Sequence, residues 1–146
     1  MFYNANYIVI QHEFNQLDKI EWMRQFVGKL GFKSVKIMSP YDHDEIISFT
    51  SQLPHTLAVA LMNSNDEKYE TGKYIGDSFR DLTRIANINA DLWSELFFHN
   101  KEYLLASMER FEKEFDQLKQ AIANGDEKTL KAKFLESSRR REKLEK

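Results

Sequence analysis

The run Ser39-Pro40-Tyr41-Asp42-His43-Asp44-Glu45-Ile46-Ile47-Ser48-Phe49-Thr50-Ser51-Gln52-Leu53-Pro54-His55 decides how the rest of the chain is read. It opens as a helix start. Ser39 can accept a hydrogen bond from a backbone N–H of the first turn. Pro40 fits the first helical position, where a missing N–H costs nothing. Asp42, Asp44 and Glu45 suit the positive end of the helix dipole. Ile46, Phe49, Leu53, Leu57 and Leu61 then recur at helical spacing and predict one apolar stripe. Pro54 interrupts it. The ring removes a backbone hydrogen bond and predicts a kink near Thr50. Ser51 and His55 are four residues apart, so they share a face and can both reach a polar ligand. The plainer alternative is a Ser bonded to backbone and a His satisfied in the core. The spacing leaves both open, although a kink that costs stability is often found at a working site.

Toward the N-terminus, Tyr7-Ile8-Val9-Ile10 is a short β-branched run that suits a buried strand. Residues 16–30 place Ile20, Trp22, Met23, Phe26, Val27 and Leu30 at helical spacing, and Gly31 is a natural stop. Phe32, Val35 and Ile37 alternate with lysines up to Ser39-Pro40, as in a second strand. Strand, helix and strand over residues 1–38 form a βαβ fragment. One such unit cannot cover both faces of its sheet.

Toward the C-terminus, residues 63–78 are polar, include Gly72 and Gly76, and read as a loop. A short helix is expected over residues 79–86. It would place Arg80 and Arg84 one turn apart near its N-terminal end. Guanidinium groups grip carboxylates in a bidentate way, so this is a candidate anion site. The alternative is a surface cluster of Arg80, Asp81 and Arg84. Asn89 can cap a long helix carrying Trp93, which suits a pocket lid, an interface anchor or plain core packing. Along this helix Leu104, Met108, Phe111, Phe115, Leu118 and Ile122 form a seam. Asn124-Gly125 ends it, and Asp126 caps a last helix with Leu130, Phe134 and Leu135 on one face. Residues 139–143 read as its solvated, mixed-charge end. His43 suits capping or the surface, and His12 and His99 carry no signal.

Composition narrows the choices. Hydrophobic residues make up 42% of 146, with 11 Phe, enough for a packed core. A net charge of -2 gives no electrostatic case for nucleic acid. The lack of cysteine excludes disulfides, cysteine-ligated zinc and thiol chemistry. No His/Asp/Glu group has metal-site spacing, and no glycine-rich nucleotide loop is present. No apolar run is long enough to cross a membrane, so a cytoplasmic location is the expectation.

The ordered motifs carry a resemblance. Ser39-Pro40-Tyr41-Asp42-His43-Asp44, then Ser51-Gln52-Leu53-Pro54-His55, then Phe79-Arg80-Asp81-Leu82-Thr83-Arg84-Ile85-Ala86, then Trp93 and Asn100, resemble the C-terminal domain of prephenate dehydrogenases and their arogenate-using relatives. Phe2-Tyr3-Asn4-Ala5-Asn6-Tyr7-Ile8 resembles the end of that family's nucleotide-binding domain. The resemblance implies a mainly α chain. Residues 1–38 would be the tail of a dinucleotide-binding domain, and residues 39–146 an all-helical substrate-binding and dimerisation domain.

It also implies oxidative decarboxylation of prephenate to 4-hydroxyphenylpyruvate with NAD+ or NADP+ in tyrosine biosynthesis. The cofactor site and the histidine that bonds the ring hydroxyl would lie in a half absent from these residues. No cofactor is therefore expected on this chain, and by itself it should be inactive. Arg84 looks like the arginine that grips a substrate carboxylate, with His55 and Ser51 as the polar pair at the pyruvyl end. Arg80, Asp81 and Trp93 look like supporting or cross-subunit pocket residues. An intertwined homodimer is implied, with tyrosine a possible inhibitor. Two departures from this picture stay open: arogenate as substrate, and a non-enzymatic helical binding module. Asp77, beside the anion motif, puts the conformation of that loop in question.

Overall fold

The computed structural model describes residues 5–66 and 68–144. Residues 2–4 of the N-terminal resemblance lie outside that range. Strands β1 (Asn6–Ile10) and β2 (Ser34–Met38) pair in parallel, from Asn6 opposite Ser34 to Ile10 opposite Met38. A parallel pair needs a crossover, and helix α1 (Leu17–Lys29) supplies it, packing on both strands. Val9 and Val27 are buried. Gly31 follows α1 with φ 85°, in the left-handed region where an absent Cβ is an advantage.

Helix α2 (Pro40–Ile47) begins as its sequence requires: the Asp42 N–H donates to Ser39 Oγ at 3.1 Å, and Pro40 takes the first position. In place of the expected kink, residues Ser48–Gln52 form a π-helical segment, in which the Leu53 N–H reaches back five residues to the Ser48 carbonyl. Helix α3 (Leu53–Asn63) then continues. The cause is local. Pro54 has no N–H for the Thr50 carbonyl, and widening the turn by one residue accommodates the ring without breaking the rod. The extra residue also splits the expected stripe. Ile46 and Phe49 are exposed, whereas Ser48, Gln52, Leu53 and Ala58 are buried.

Further along, the loop holds a 3₁₀ turn at Thr71–Lys73. The helix expected over 79–86 is two pieces: α4 (Asp77–Thr83) and a 3₁₀ turn, Arg84–Ala86. Asn89 is a cap, accepting from the Leu92 N–H at 3.1 Å, but the helix it opens is α5 (Ala90–His99), only ten residues long. Asn100, at φ -115° and ψ 29°, ends α5, and α6 (Lys101–Ala123) starts directly after it. The expected single long helix is therefore two helices, because apolar spacing continues across a junction that backbone geometry does not. Gly125, with φ 64°, separates α6 from α7 (Glu127–Lys143), whose cap is Asp126. By compactness the chain divides into Met1–Leu104 and Leu105–Lys146. No helix among the described residues is long and apolar enough to cross a membrane.

Candidate functional site

Within the first unit, the site grows from the π segment. The Ser51 carbonyl accepts from His55 Nδ1 at 2.8 Å. A carbonyl oxygen can only accept, so Nδ1 carries the hydrogen. In the neutral ring Nε2 is then the acceptor, and in the charged ring it is a second donor. His55 is thus oriented by its own helix and held face to face with Trp93, the ring centroids 3.7 Å apart at 28°. Trp93 in turn meets Phe97 edge-on at 5.6 Å. The two candidates are partly buried and joined, so Trp93 is a neighbour of His55 rather than isolated core filling. Ser51 contributes its carbonyl to this arrangement.

The arginines separate. Arg80 lies within α4, and its Nη1 donates to Asp77 Oδ1 at 2.9 Å. The carboxylate suspected of disturbing an anion site is therefore the partner of Arg80, and the alternative reading, an Arg80–Asp81–Arg84 cluster, does not form among the described residues. Both side chains of the Arg80–Asp77 pair are exposed, so the pair contributes little stability. Arg84 stands at the C-terminal end of α4 and opens the 3₁₀ turn. It has no helix N-terminus behind it, contrary to expectation. The displacement follows from α4 starting two residues early, at Asp77, with Gly76 at its N-cap. Arg84 is exposed and has no ion-pair partner among the described residues. Helix α3, which carries His55, packs against both α4 and the Arg84–Ala86 turn. Asp81 is exposed on α4.

Two residues missed as site candidates underlie this arrangement. Gln52 is 5% exposed, and its Nε2 donates to the Leu96 carbonyl of α5 at 3.1 Å. Asn100 Nδ2 donates to Gln52 Oε1 at 2.9 Å and to the Asp44 carbonyl at 2.8 Å. Their signal in the sequence is slight: a polar residue inside an apolar run, and an Asn at a helix junction.

An open hollow lies elsewhere, at the carboxyl ends of β1 and β2, lined by Gln11, His12, Glu13, Met38, Ser39 and Asp42. His12, which carries no signal in the sequence, stacks on Phe14 there. The β1-to-α1 connection has no glycine, and its N-cap Gln16 makes no side-chain capping bond. This turn does not suit a dinucleotide pyrophosphate, which needs close backbone approach at a glycine-lined helix N-terminus. Among the described residues there is no group of His, Cys, Asp or Glu able to hold a metal ion.

These features define a mainly helical chain with a parallel two-stranded α/β lead-in. Residues 39–136 match the family described as prephenate dehydrogenase, dimerization domain. The chain belongs to the prephenate dehydrogenase family. It is 32% identical over 112 residues to the cyclohexadienyl dehydrogenase of Zymomonas mobilis, covering 73% of this chain and 38% of that protein. It superposes with a TM-score of 0.81 and 28% identity on prephenate dehydrogenase from A. aeolicus in complex with hydroxyphenyl propionate and NAD+, over 94% of this chain and 49% of the other. Synechocystis arogenate dehydrogenase shares the fold, at a TM-score of 0.85 and 24% identity, with 98% of this chain and 53% of that one covered. The chain spans 36–40% of the length of the curated relatives it matches.

Proposed function

We propose that this chain provides the substrate-binding and dimer-forming part of an NAD(P)+-dependent dehydrogenase that oxidatively decarboxylates prephenate to 4-hydroxyphenylpyruvate. The observation that carries the reading is the convergence on α3: His55 stacked on Trp93, with the turn that begins at Arg84 packed alongside. Prephenate has two carboxylates and no positive group, so its pocket must supply cations. Arg84 is exposed and has no carboxylate partner among the described residues, whereas Arg80 is already paired. Arg84 grips one carboxylate through its planar fork. His55, aimed by the Ser51 carbonyl, offers Nε2 to the polar end of the substrate. Ser51, Asp81 and Arg80 are assigned to the surrounding pocket.

The bound nicotinamide supplies the hydride acceptor. Since the β1-to-α1 turn does not suit it, hydride transfer needs residues other than these, and this chain alone is inactive. The protein works as a homodimer in the cytoplasm. Exposed apolar residues on α6 and α7, Phe115, Ile122, Phe134 and Leu135 among them, support the dimer.

Calorimetric titration of the 146-residue chain with prephenate, arogenate and tyrosine tests the assignment. Saturable binding of prephenate that weakens in Arg84→Ala is the expected result. Tighter binding of arogenate would reassign the substrate. Binding of none of the three, with the dimer intact, would leave a helical assembly module.

A further inference from the structure

The geometry points to Gln52 and Asn100 as positioning residues that set the His55–Trp93 pair. The inference rests on the reading of that pair as part of the pocket. A π segment is a poor place from which to aim a side chain, because a wide turn has alternative α-helical settings nearby. Here the setting is held from outside the helix. Gln52, the last residue of the π segment, uses both ends of its amide: Nε2 on the Leu96 carbonyl and Oε1 on Asn100 Nδ2. Asn100 reaches on to the Asp44 carbonyl in α2. One residue pair therefore ties three places together: the helix before the π segment, the end of the segment itself, and the C-terminal turn of α5.

The consequence is geometric. His55 lies three residues beyond Gln52, and Trp93 lies three residues before Leu96, so each ring is one helical turn from a tied point. The ties set the relative height and rotation of α3 and α5, and these determine whether imidazole and indole meet face to face. Gln52 is buried, so no water replaces a lost amide bond without rearrangement. An apolar residue of similar length would fill the space and leave the register unspecified. The polar pair, Gln52 buried and Asn100 half-buried, contributes a unique setting more than it contributes stability.

The test reads the ring contact directly and uses no ligand. The chain has two tryptophans, and Trp22→Phe leaves Trp93 as the sole indole. An imidazole stacked on an indole alters its emission. His55→Gln in this background should therefore change Trp93 emission, and that change reports the ring contact. Gln52→Met and Asn100→Ala are then compared in the Trp22→Phe background. Variants that keep the parent's far-UV helical signal are expected to show more than half of the emission change that His55→Gln produces. A folded variant that keeps the parent's emission overturns the proposal. So does loss of the helical signal in both variants, because the pair would then maintain the fold rather than aim the rings. Failure of prephenate to bind the unaltered chain would count against the pocket reading alone, since the emission test runs without it.

Discussion

The π-bearing helix and the α6–α7 hairpin solve opposite problems. Around the π segment the buried set is mixed: Ser48 and Gln52 beside Leu53 and Ala58, with Gln52 tied by hydrogen bonds to a carbonyl and an amide of the same unit. In the hairpin several large apolar residues face outward. Phe115 is 57% exposed, Ile122 66%, Phe134 57% and Leu135 73%. Its ties are surface ion pairs, such as Lys133 to Glu114 at 2.7 Å and Arg140 to Glu136. The first region is specified by its own chain. The second carries a face whose apolar area is repaid only by another surface. Site geometry should therefore be insensitive to protein concentration, and hairpin stability should depend on it.

The sharpest way to break this contrast is Phe115→Asp. A carboxylate placed in the seam should abolish the dimer, and light scattering should show a monomer at micromolar concentration. A dimer that survives would remove the hairpin from the interface. Next comes Leu53→Ala, at a residue 4% exposed. A large-to-small change in a packed site costs about 2–5 kcal/mol. Denaturant unfolding should show that loss equally at low and high protein concentration, whereas Ile122→Ala should be felt only where the dimer forms.

Arg84→Ala comes third. A hydrogen bond to a charged group is worth about 1.5–3 kcal/mol. Prephenate affinity should fall by roughly one to two orders of magnitude, with the melting temperature unchanged. Arg84→Lys should recover part of it, because a point charge lacks the planar fork. An affinity loss that tracks unfolding would make Arg84 structural.

The smallest effect is at the start of α7. The Thr129 hydroxyl donates to the Asp126 carboxylate at 2.6 Å and the Thr129 N–H at 3.0 Å, and together they hold its pKa below the ordinary value. A carboxyl group whose folded pKa is lowered contributes stability that is full above its unfolded value, near about 3.9. That contribution is lost as pH falls through the lowered value. Hydrogen exchange in the first turn of α7 should quicken in Asp126→Ala at neutral pH, and the difference from the parent should vanish in strong acid.

Much of the fold is legible in the residues, for reasons that are local. Ser39, Asn89 and Asp126 act as caps because a short polar side chain before a helix has few other uses. Gly31 and Gly125 end helices because their backbones need positive φ. The illegible parts depend on distant partners. An apolar stripe assumes constant pitch, so it places Ile46 and Phe49 inward where the π segment turns them out. Asn100 breaks the rod between α5 and α6 while its side chain bonds Asp44 and Gln52, some fifty positions earlier, and periodicity carries no record of that. Of the candidate site, the residue types of His55, Trp93 and Arg84 stand out in the sequence, but not their placing. Arg84 lacks the helix N-terminus expected behind it. The start of α4 is set by Gly76 and Asp77, one residue type permissive and the other ambiguous.

The π segment also lets the chain carry one residue more than the helices on either side of it need. Each residue of an α-helix turns the rod by roughly 100°. The wider turn of Ser48–Gln52 takes up the one extra residue, so that α2 and α3 stay in phase. Deleting Phe49 should therefore let the segment relax to ordinary pitch while the Ser39 end, the βαβ lead-in and the Asn100–Asp44 bond keep their setting. The wide turn thus acts as slack in the count of residues between Pro40 and Pro54, taken up without changing the angle at which the lead-in meets α3.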